Sequence, residues 1–169
     1  MSPQKQLVSG SQIEEWLKDW GSQLKQKGSL ILIGSGGLLW HAHQRNIQHP
    51  LPDGSMDVDP ITQDEEIAEL GYFAIMGSDF EKKHGWHVNL MPASALEELP
   101  DGWGARAAEI IHGNLKVTVP DPEDLLVPKL RRNEPRDRKH ARWARENGLV
   151  QSIEKIETLA RTRRNQPPS

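Results

Sequence analysis

Cysteine is absent from this sequence of 169 residues. Its absence excludes disulfide bridges, thiol nucleophiles, and zinc or iron–sulfur centres that are bound through cysteine. Long apolar runs are missing as well: the longest, Leu30 to Ile33, extends past small residues only to Trp40, whereas a membrane-spanning helix needs about 20 apolar residues. Residues 1–10 show no apolar signal core, so we expect a cytoplasmic protein that does not bind a membrane.

A surplus of either charge is also missing, because the formal net charge is only −3. The basic residues are nevertheless unevenly distributed, since seven of the 21 lie between residues 131 and 145. Such a segment indicates a local site for a polyanion, with a solvated helix face as the alternative interpretation. The seven residues are Arg131, Arg132, Arg136, Arg138, Lys139, Arg142 and Arg145.

The first third of the chain predicts a helix, a buried strand and a second helix. Ser11 and Glu14 have the spacing of a capping box, and apolar residues at helical spacing follow as far as Gly28. The wholly apolar run Leu30 to Ile33 is typical of a strand that is buried on both faces. Four small residues, 34–37, then break the strand before a helix over 38–43.

The remainder predicts strands interleaved with helices, followed by a helical C-terminal third. Asp121 and Pro122 mark a helix start, in which Pro128 is expected to introduce a kink or an early end. One α/β domain over 1–169 follows, with a core over 28–120, C-terminal helices over 121–160 and a disordered tail over 161–169. The other predicted elements are strands at 56–61, 87–91 and 115–119, a helix over 64–76, a helix or strand over 105–111, and helices beginning at 135 and 150.

A glycine-rich turn, Gly34-Ser35-Gly36-Gly37, joins the first strand to the next helix. Backbone amides at such a turn suit a phosphate group, because glycines let the backbone approach an anion closely. A dinucleotide fingerprint is excluded because Leu39 stands where its third glycine belongs, and a P-loop is excluded because no Gly-Lys-Ser/Thr follows. A tight turn without a ligand remains the alternative.

Two aspartates follow on the next predicted strand, as Asp57-Val58-Asp59. Residues i and i+2 of a strand point to the same side, so the two carboxylates lie next to each other. Like charges at this separation are unfavourable unless a cation lies between them. Mg²⁺ bound to phosphates is commonly held by one or two carboxylates, so the pair indicates a metal site, with an exposed strand end before Pro60 as the alternative.

The order of these two motifs resembles the nucleotidyltransferase superfamily that includes DNA polymerase β. Its members carry a strand, a Gly-Ser or Gly-Gly turn, a helix, and then Asp-x-Asp on the neighbouring strand. Segments further along the chain are similar to the AbiEii-toxin-like branch, which includes many small bacterial or phage proteins and several toxins of toxin–antitoxin pairs. The resemblance covers residues 28–145, and the segments of the second kind are 85–92, 99–103, 119–130 and 136–140.

The resemblance implies roles for particular residues. Gly34 and Ser35 match the turn that grips the nucleotide phosphate, and Asp57 and Asp59 match the ligands of Mg²⁺ or Mn²⁺. Lys129 matches a lysine that contacts the phosphates, with an ordinary surface lysine as the alternative. Asp137 matches an acid of the last motif, which either orients Lys129 or Arg136 or caps its own helix. The remaining candidates are four contacts to RNA or phosphate: Arg131, Arg132, Arg136 and Arg138.

One position departs from the superfamily pattern. Many members carry a third carboxylate on a later strand, where this sequence has Asn89, and an amide is not a base at neutral pH. Either two carboxylates suffice, or another group such as His87 assists, or the domain is a weak or inactive module that binds nucleotide or RNA. Trp143, among the arginines, either stacks on a base or anchors its helix in the core.

The function implied by the resemblance is transfer of a nucleotide from a nucleoside triphosphate to a hydroxyl group of RNA, such as tRNA, or of a protein, with Mg²⁺ or Mn²⁺ as cofactor. A toxin with this activity would have an antitoxin protein as its partner. The alternatives are the inactive binding module described above and an antitoxin-like or structural protein without a ligand.

Overall fold

The computed structural model describes residues 7–164. Five strands form one sheet: β1 (Gly28–Ile33), β2 (Asp57–Ile61), β3 (His87–Val88), β4 (Ala108–His112) and β5 (Leu115–Val119). Their order is β3-β2-β1-β5-β4. The central strand β1 is parallel to β5 and antiparallel to β2, while β3 is parallel to β2 and β4 is antiparallel to β5. The predicted α/β class with a small mixed sheet is confirmed.

Helices flank this sheet and make up the C-terminal third. The helices α1 and α2 pack together and against the sheet, and α6 packs against α2. Both α7 and α8 pack against α6, which gives the predicted helical cap. Within residues 7–164 no helix is long and apolar enough to cross a membrane. The helices are α1 (Gly10–Gln23), α2 (Gly34–Gln44), α3 (Glu65–Tyr72), α4 (Asp79–His84), α5 (Trp103–Arg106), α6 (Pro122–Arg132), α7 (Pro135–Glu146) and α8 (Ile153–Arg164), with a 3₁₀ helix at Ala93–Glu98.

The core lies between the centre of the sheet and the helices α1, α2 and α6. Leu32 of β1 and Val117 of β5 are fully buried, as is Leu126 of α6. Burying a side chain of this kind stabilises a fold by about 1.5–3 kcal/mol. Because β2 pairs with the buried strand β1, the core holds the start of β2, where both aspartates lie, beside the end of β1.

The N-terminal end of α1 differs from the sequence prediction. The capping box consists of Ser9 and Gln12: the Ser9 hydroxyl accepts from the Gln12 amide at 3.2 Å, and Gln12 Oε1 accepts from the Ser9 amide at 2.9 Å. Ser11 and Glu14 are therefore not the box, because the serine two residues earlier already caps the chain. The helix also ends at Gln23, before the predicted end near Gly28.

Several other boundaries are corrected. Residues 34–37 are the first turn of α2 and not a separate turn. The helix predicted over 64–76 ends at Tyr72, and α4 was not predicted. Strand β3 is confined to His87–Val88, although the amides of Asn89 and Met91 still donate to β2 carbonyls at 2.8 and 2.9 Å. The undecided segment 105–111 is divided: residues 105–106 end α5, and residues 108–111 belong to β4, which pairs with β5 in a hairpin.

The C-terminal helices are longer than the sequence indicates. Pro128 does not shorten α6, which continues to Arg132, because buried residues on either side of the proline hold the helix against the core. The last helix begins at Ile153 rather than at residue 150 and continues to Arg164, with Ile156 and Ala160 buried. Residues 161–164 of the predicted tail are thus helical, and the rest of that prediction, 165–169, lies outside the described residues.

Candidate active site

A cleft of about 440 Å³ opens where β1 ends, α2 begins and α6 crosses them. It contains most of the residues singled out from the sequence: Gly34 and Ser35, both aspartates, Asn89, Lys129, Arg132 and Arg136. Asp137, Arg131 and Arg138 do not line it. The other lining residues are Ile33, Ser55, Met91, Ala95, Glu98, Leu99, Leu125 and Pro128.

The antiparallel pairing of β1 and β2 brings the two motifs together. Ile33, the last residue of β1, lies opposite Asp59 in the register. Gly34 follows with φ +71°, and a Cβ atom at this position would lie 2.7 Å from Asp59 Oδ2. Glycine is favoured here, because the backbone is left-handed and a side chain would require the Asp59 carboxylate to move.

The start of α2 offers backbone donors to this cleft. Ile33 is the N-cap of α2, and no side chain caps the helix there. The first N–H groups of a helix have no partner within the helix, and its N-terminus carries a partial positive charge. Ser35 is 7% exposed in this first turn. The N-terminal end of α2 therefore suits a phosphate group, as the glycine-rich segment predicts.

The two aspartates point to the cleft side of β2, while Val58 between them is buried on the other face. Burial, and secondarily the charge of Asp57, raises the pKa of Asp59 to about 6. Asn89 opposes this shift, because its amide donates to Asp59 Oδ1 at 3.0 Å. Ser55 donates to the Asp57 backbone carbonyl at 2.9 Å and lies 3.3 Å from Asp57 Oδ1.

The donor set of this pair fits a hard divalent cation. Among the described residues no group of three or more His, Asp or Glu side chains is arranged to hold a metal ion. Two adjacent carboxylates nevertheless match Mg²⁺, which keeps several waters and binds through one or two carboxylates together with substrate phosphates. Burial and the charge of Asp57 raise the pKa of Asp59 despite the nearby charge of Lys129, and a bound cation would oppose this shift.

Lys129 of α6 lies opposite the aspartates. Its ammonium group donates to Ser35 Oγ at 2.9 Å, and the residue is only 7% exposed. Burial lowers the pKa of Lys129 to about 8, although the charge of Asp137 opposes this effect. The interpretation as an ordinary surface lysine is therefore wrong. Lys129 and the first turn of α2 form one cationic corner of the cleft.

Asp137 is buried behind the cleft wall. Its carboxylate accepts from Arg132 Nε at 2.9 Å and Nη2 at 2.6 Å, and it accepts from the Glu134 amide at 3.1 Å in a capping box of α7. Burial by itself would raise the pKa of Asp137, but the bonds from Arg132 and Glu134 lower it on balance. Asp137 thus caps its helix, as one sequence alternative had it; its carboxylate is bonded to Arg132 and acts on Lys129 through its charge.

The basic segment is divided among several environments. Arg132 and Arg136 line the cleft, whereas Arg131 lies 2.6 Å from Glu98 Oε2 and Arg138 is exposed elsewhere on α7. Arg138, Arg142 and Arg145 follow each other on the outer face of α7, on the side opposite to Arg136. Arg131 and Arg138 therefore do not line this cleft, and their contact with RNA or phosphate stays a prediction.

The inner face of α7 instead holds the loop that leads into β2. Arg136 Nη2 donates to the Gly54 carbonyl at 2.8 Å, and His140 Nε2 donates to the Pro52 carbonyl at 2.9 Å. Trp143 is 5% exposed and donates to a third loop carbonyl, so it is a core anchor and not a stacking platform. Burial lowers the pKa of His140 to about 4.

Sequence reasoning missed two parts of the cleft. Ser55 had only its position two residues before Asp57 as a signal. The apolar wall formed by Met91, Ala95 and Leu99 had none, because these residues come from the short 3₁₀ helix and its flanks, which the fold places beside α6.

Comparison with known families agrees with this geometry. The family described as "Nucleotidyltransferase of unknown function (DUF6036)" matches residues 11–165, which include both walls of the cleft. No curated protein and no solved structure matches the chain.

Proposed function

Since the chain belongs to DUF6036, a family of nucleotidyltransferases of unknown function, we propose that it transfers a nucleotide from a nucleoside triphosphate to a hydroxyl group, with Mg²⁺ or Mn²⁺ held by Asp57 and Asp59. One observation carries the proposal. The aspartate pair and the Ser35–Lys129 corner, which are far apart in sequence, line the same cleft.

We assign different roles to two parts of the cleft: the start of α2 binds phosphate, and the aspartates of β2 hold the cation. The triphosphate lies against the start of α2, where Ser35 and the backbone amides bind one phosphate group. Lys129 adds positive charge at the same corner through its contact with Ser35. Arg132 and Arg136 also line the cleft, and Asp137 keeps the guanidinium of Arg132 in place through two hydrogen bonds. A lysine supplies a compact charge and an arginine a forked pair of donors, and both suit phosphate oxygens.

Asp57 and Asp59 would hold the divalent cation with their carboxylate oxygens. The cation supplies charge neutralisation at the phosphates when it is bound. Asn89 anchors one oxygen of Asp59 by donating to it, so this residue positions the carboxylate and does not accept a proton. Positioning of the acceptor hydroxyl in line with the α-phosphorus provides most of the rate enhancement in such a site.

The finer parts of the proposal rest on the sequence resemblance. We place the chain in the AbiEii-toxin-like branch, with RNA such as tRNA, or a protein, as the acceptor. A toxin role in the cytoplasm of a bacterium, with an antitoxin as partner, follows from that branch. Asn89 supports a second candidate, a nucleotide- or RNA-binding module with little or no turnover, because the third carboxylate of many related enzymes is replaced by an amide.

The acceptor can be identified by incubating the protein with each of four α-labelled nucleoside triphosphates, Mg²⁺, and either total RNA or total protein of a bacterial extract. We expect label in one macromolecular fraction and dependence on one or a few of the four nucleotides. Nucleotide binding without label in either fraction would support the binding module and contradict the transferase.

A further inference from the structure

His87 lies between two carboxylates at the edge of the candidate metal site. In the register of β3 on β2 it is the direct partner of Asp57. Its Nδ1 atom is 2.7 Å from Glu81 Oε2, and its Nε2 atom is 3.9 Å from Asp57 Oδ2. The residue is 9% exposed and does not line the cleft, so it reaches a ligand only through Asp57.

Glu81 is delivered to His87 by the short helix α4. Ser78 caps this helix by accepting from the Glu81 amide at 3.2 Å, and Glu81 Oε1 accepts from the Gly77 amide at 3.1 Å. Gly85 ends the helix with φ +83°, two residues before His87. The Glu81 carboxylate is therefore held at Oε1 by the Gly77 amide, and its Oε2 lies in close contact with the imidazole ring on the side of Nδ1.

The two aspartates differ in how firmly the protein holds them. Asp59 accepts a hydrogen bond from Asn89 at 3.0 Å and lies against Gly34. The Asp57 side chain is 37% exposed, and Ser55, which is 3.3 Å from Oδ1, also donates to a backbone carbonyl. On the side of Oδ2, His87 Nε2 lies 3.9 Å away, which is within ion-pair distance but longer than a hydrogen bond.

We propose that His87, held by Glu81, is a positioning residue that orients the Asp57 carboxylate toward a divalent cation. The proposal rests on the proposed function, because it takes Asp57 to be a metal ligand. Groups that hold a metal-binding carboxylate or imidazole from behind typically change metal affinity 10- to 100-fold when they are removed. The Glu81–His87 pair would then support the metal site in place of the third carboxylate that many related enzymes carry.

The test measures Mn²⁺ affinity of the full chain without nucleotide, from the signal of free Mn²⁺ in electron paramagnetic resonance. We expect His87→Ala to weaken Mn²⁺ binding about 10- to 100-fold. His87→Gln places an amide donor near the position of Nε2, so it should recover much of the affinity. His87→Asn places the amide near Nδ1, next to Glu81, and should bind Mn²⁺ as weakly as the alanine variant.

Two matched substitutions on α4 show whether weaker Mn²⁺ binding comes from lost positioning of Asp57 or from a general loss of negative charge. Glu81→Ala and Asp79→Ala each remove one carboxylate from the first turn of α4, but only Glu81 touches His87, and Asp79 is fully exposed. We expect weaker Mn²⁺ binding for Glu81→Ala and unchanged binding for Asp79→Ala. Should His87→Ala fail to fold by circular dichroism, the contrast between the glutamine and asparagine variants carries the test.

The outcomes separate this proposal from the function on which it rests. Native Mn²⁺ affinity in the His87 variants, or rescue by asparagine and not by glutamine, would overturn the positioning role while leaving the metal site intact. Absence of Mn²⁺ binding by the unaltered protein would remove the metal site itself, and the positioning role with it.

Discussion

Replacing Asp59 by asparagine should stabilise the metal-free protein, although it removes a candidate metal ligand. Asparagine has nearly the same shape and can still accept the bond from Asn89 through its carbonyl oxygen. It carries no charge, so it ends the repulsion from Asp57 and the burial of an anion. A gain in stability on losing a residue is the mark of a group that is kept for function.

The magnitude follows from the pKa of Asp59, which is raised from an ordinary value of 3.8 to about 6. A carboxyl group whose pKa is raised in the folded state destabilises that state above pH 6, and protonation relieves this effect as the pH falls from 6 to 3.8. At about 1.4 kcal/mol per pKa unit, the full effect is about 3 kcal/mol at pH 8. Partial exposure of the site lowers our expectation to between about 1 and 3 kcal/mol.

The assay is urea unfolding at pH 8 and at pH 4 in the presence of EDTA. We expect the Asp59→Asn variant to be more stable at pH 8, with an unchanged m-value, and to lose this advantage near pH 4. Asp64→Asn is the control, since Asp64 accepts from the Ser29 amide at 2.8 Å and serves the fold. Equal or lower stability of the Asp59 variant at pH 8, or a gain that is the same at both pH values, would refute the reasoning.

Three further substitutions test other parts of the cleft and its support. Gly34→Ala should destabilise the protein by about 1–2 kcal/mol and abolish Mn²⁺ binding, because φ is +71° and the new methyl group meets Asp59. Gly104→Ala is the control, since Gly104 has open space around it. Equal effects of the two substitutions on stability and Mn²⁺ binding would contradict this prediction. Lys129→Met should weaken nucleotide binding about 10- to 100-fold, the worth of a charged hydrogen bond, in a calorimetric titration; unchanged affinity would exclude Lys129 from the phosphate site. The His140 imidazole, with its pKa lowered from 6.5 to about 4, resists protonation in the fold, so stability should fall as the pH drops below 6.5, by about 2 kcal/mol at pH 5. In His140→Gln the amide replaces Nε2 and cannot titrate, and the difference between the two urea-unfolding curves at pH 7 and pH 5 isolates the effect; the same pH dependence in both proteins would show that His140 is not its source.

The parts of the fold that depend on neighbours in the chain were predictable from the sequence. Strand β5 has the predicted bounds, and the start of α6 at Asp121 and Pro122 follows from local capping chemistry. The common face of Asp57 and Asp59 follows from strand geometry alone. Even locally, however, two capping signals competed at the start of α1, and the more N-terminal serine prevailed.

The parts that depend on distant contacts were not predictable. The bond between Lys129 and Ser35 joins residues 94 positions apart, and only the packing of α6 on α2 creates it. The cations of residues 131–145 look alike in the sequence, yet the fold uses Asp137 to hold Arg132, places Arg136 at the cleft and leaves Arg138 outside. Glu81 gains its role only when a helix too short to show periodicity meets β3.

The central claim is tested most directly by following the phosphorus atoms of the nucleotide. The protein, Mg²⁺ and the acceptor fraction are incubated in parallel with α-labelled and γ-labelled nucleoside triphosphate. The account predicts that label from the α position enters the acceptor while γ label is released as pyrophosphate, and that Asp57→Asn and Asp59→Asn abolish transfer. Transfer of the γ label, or α-label transfer that survives both substitutions, would contradict it.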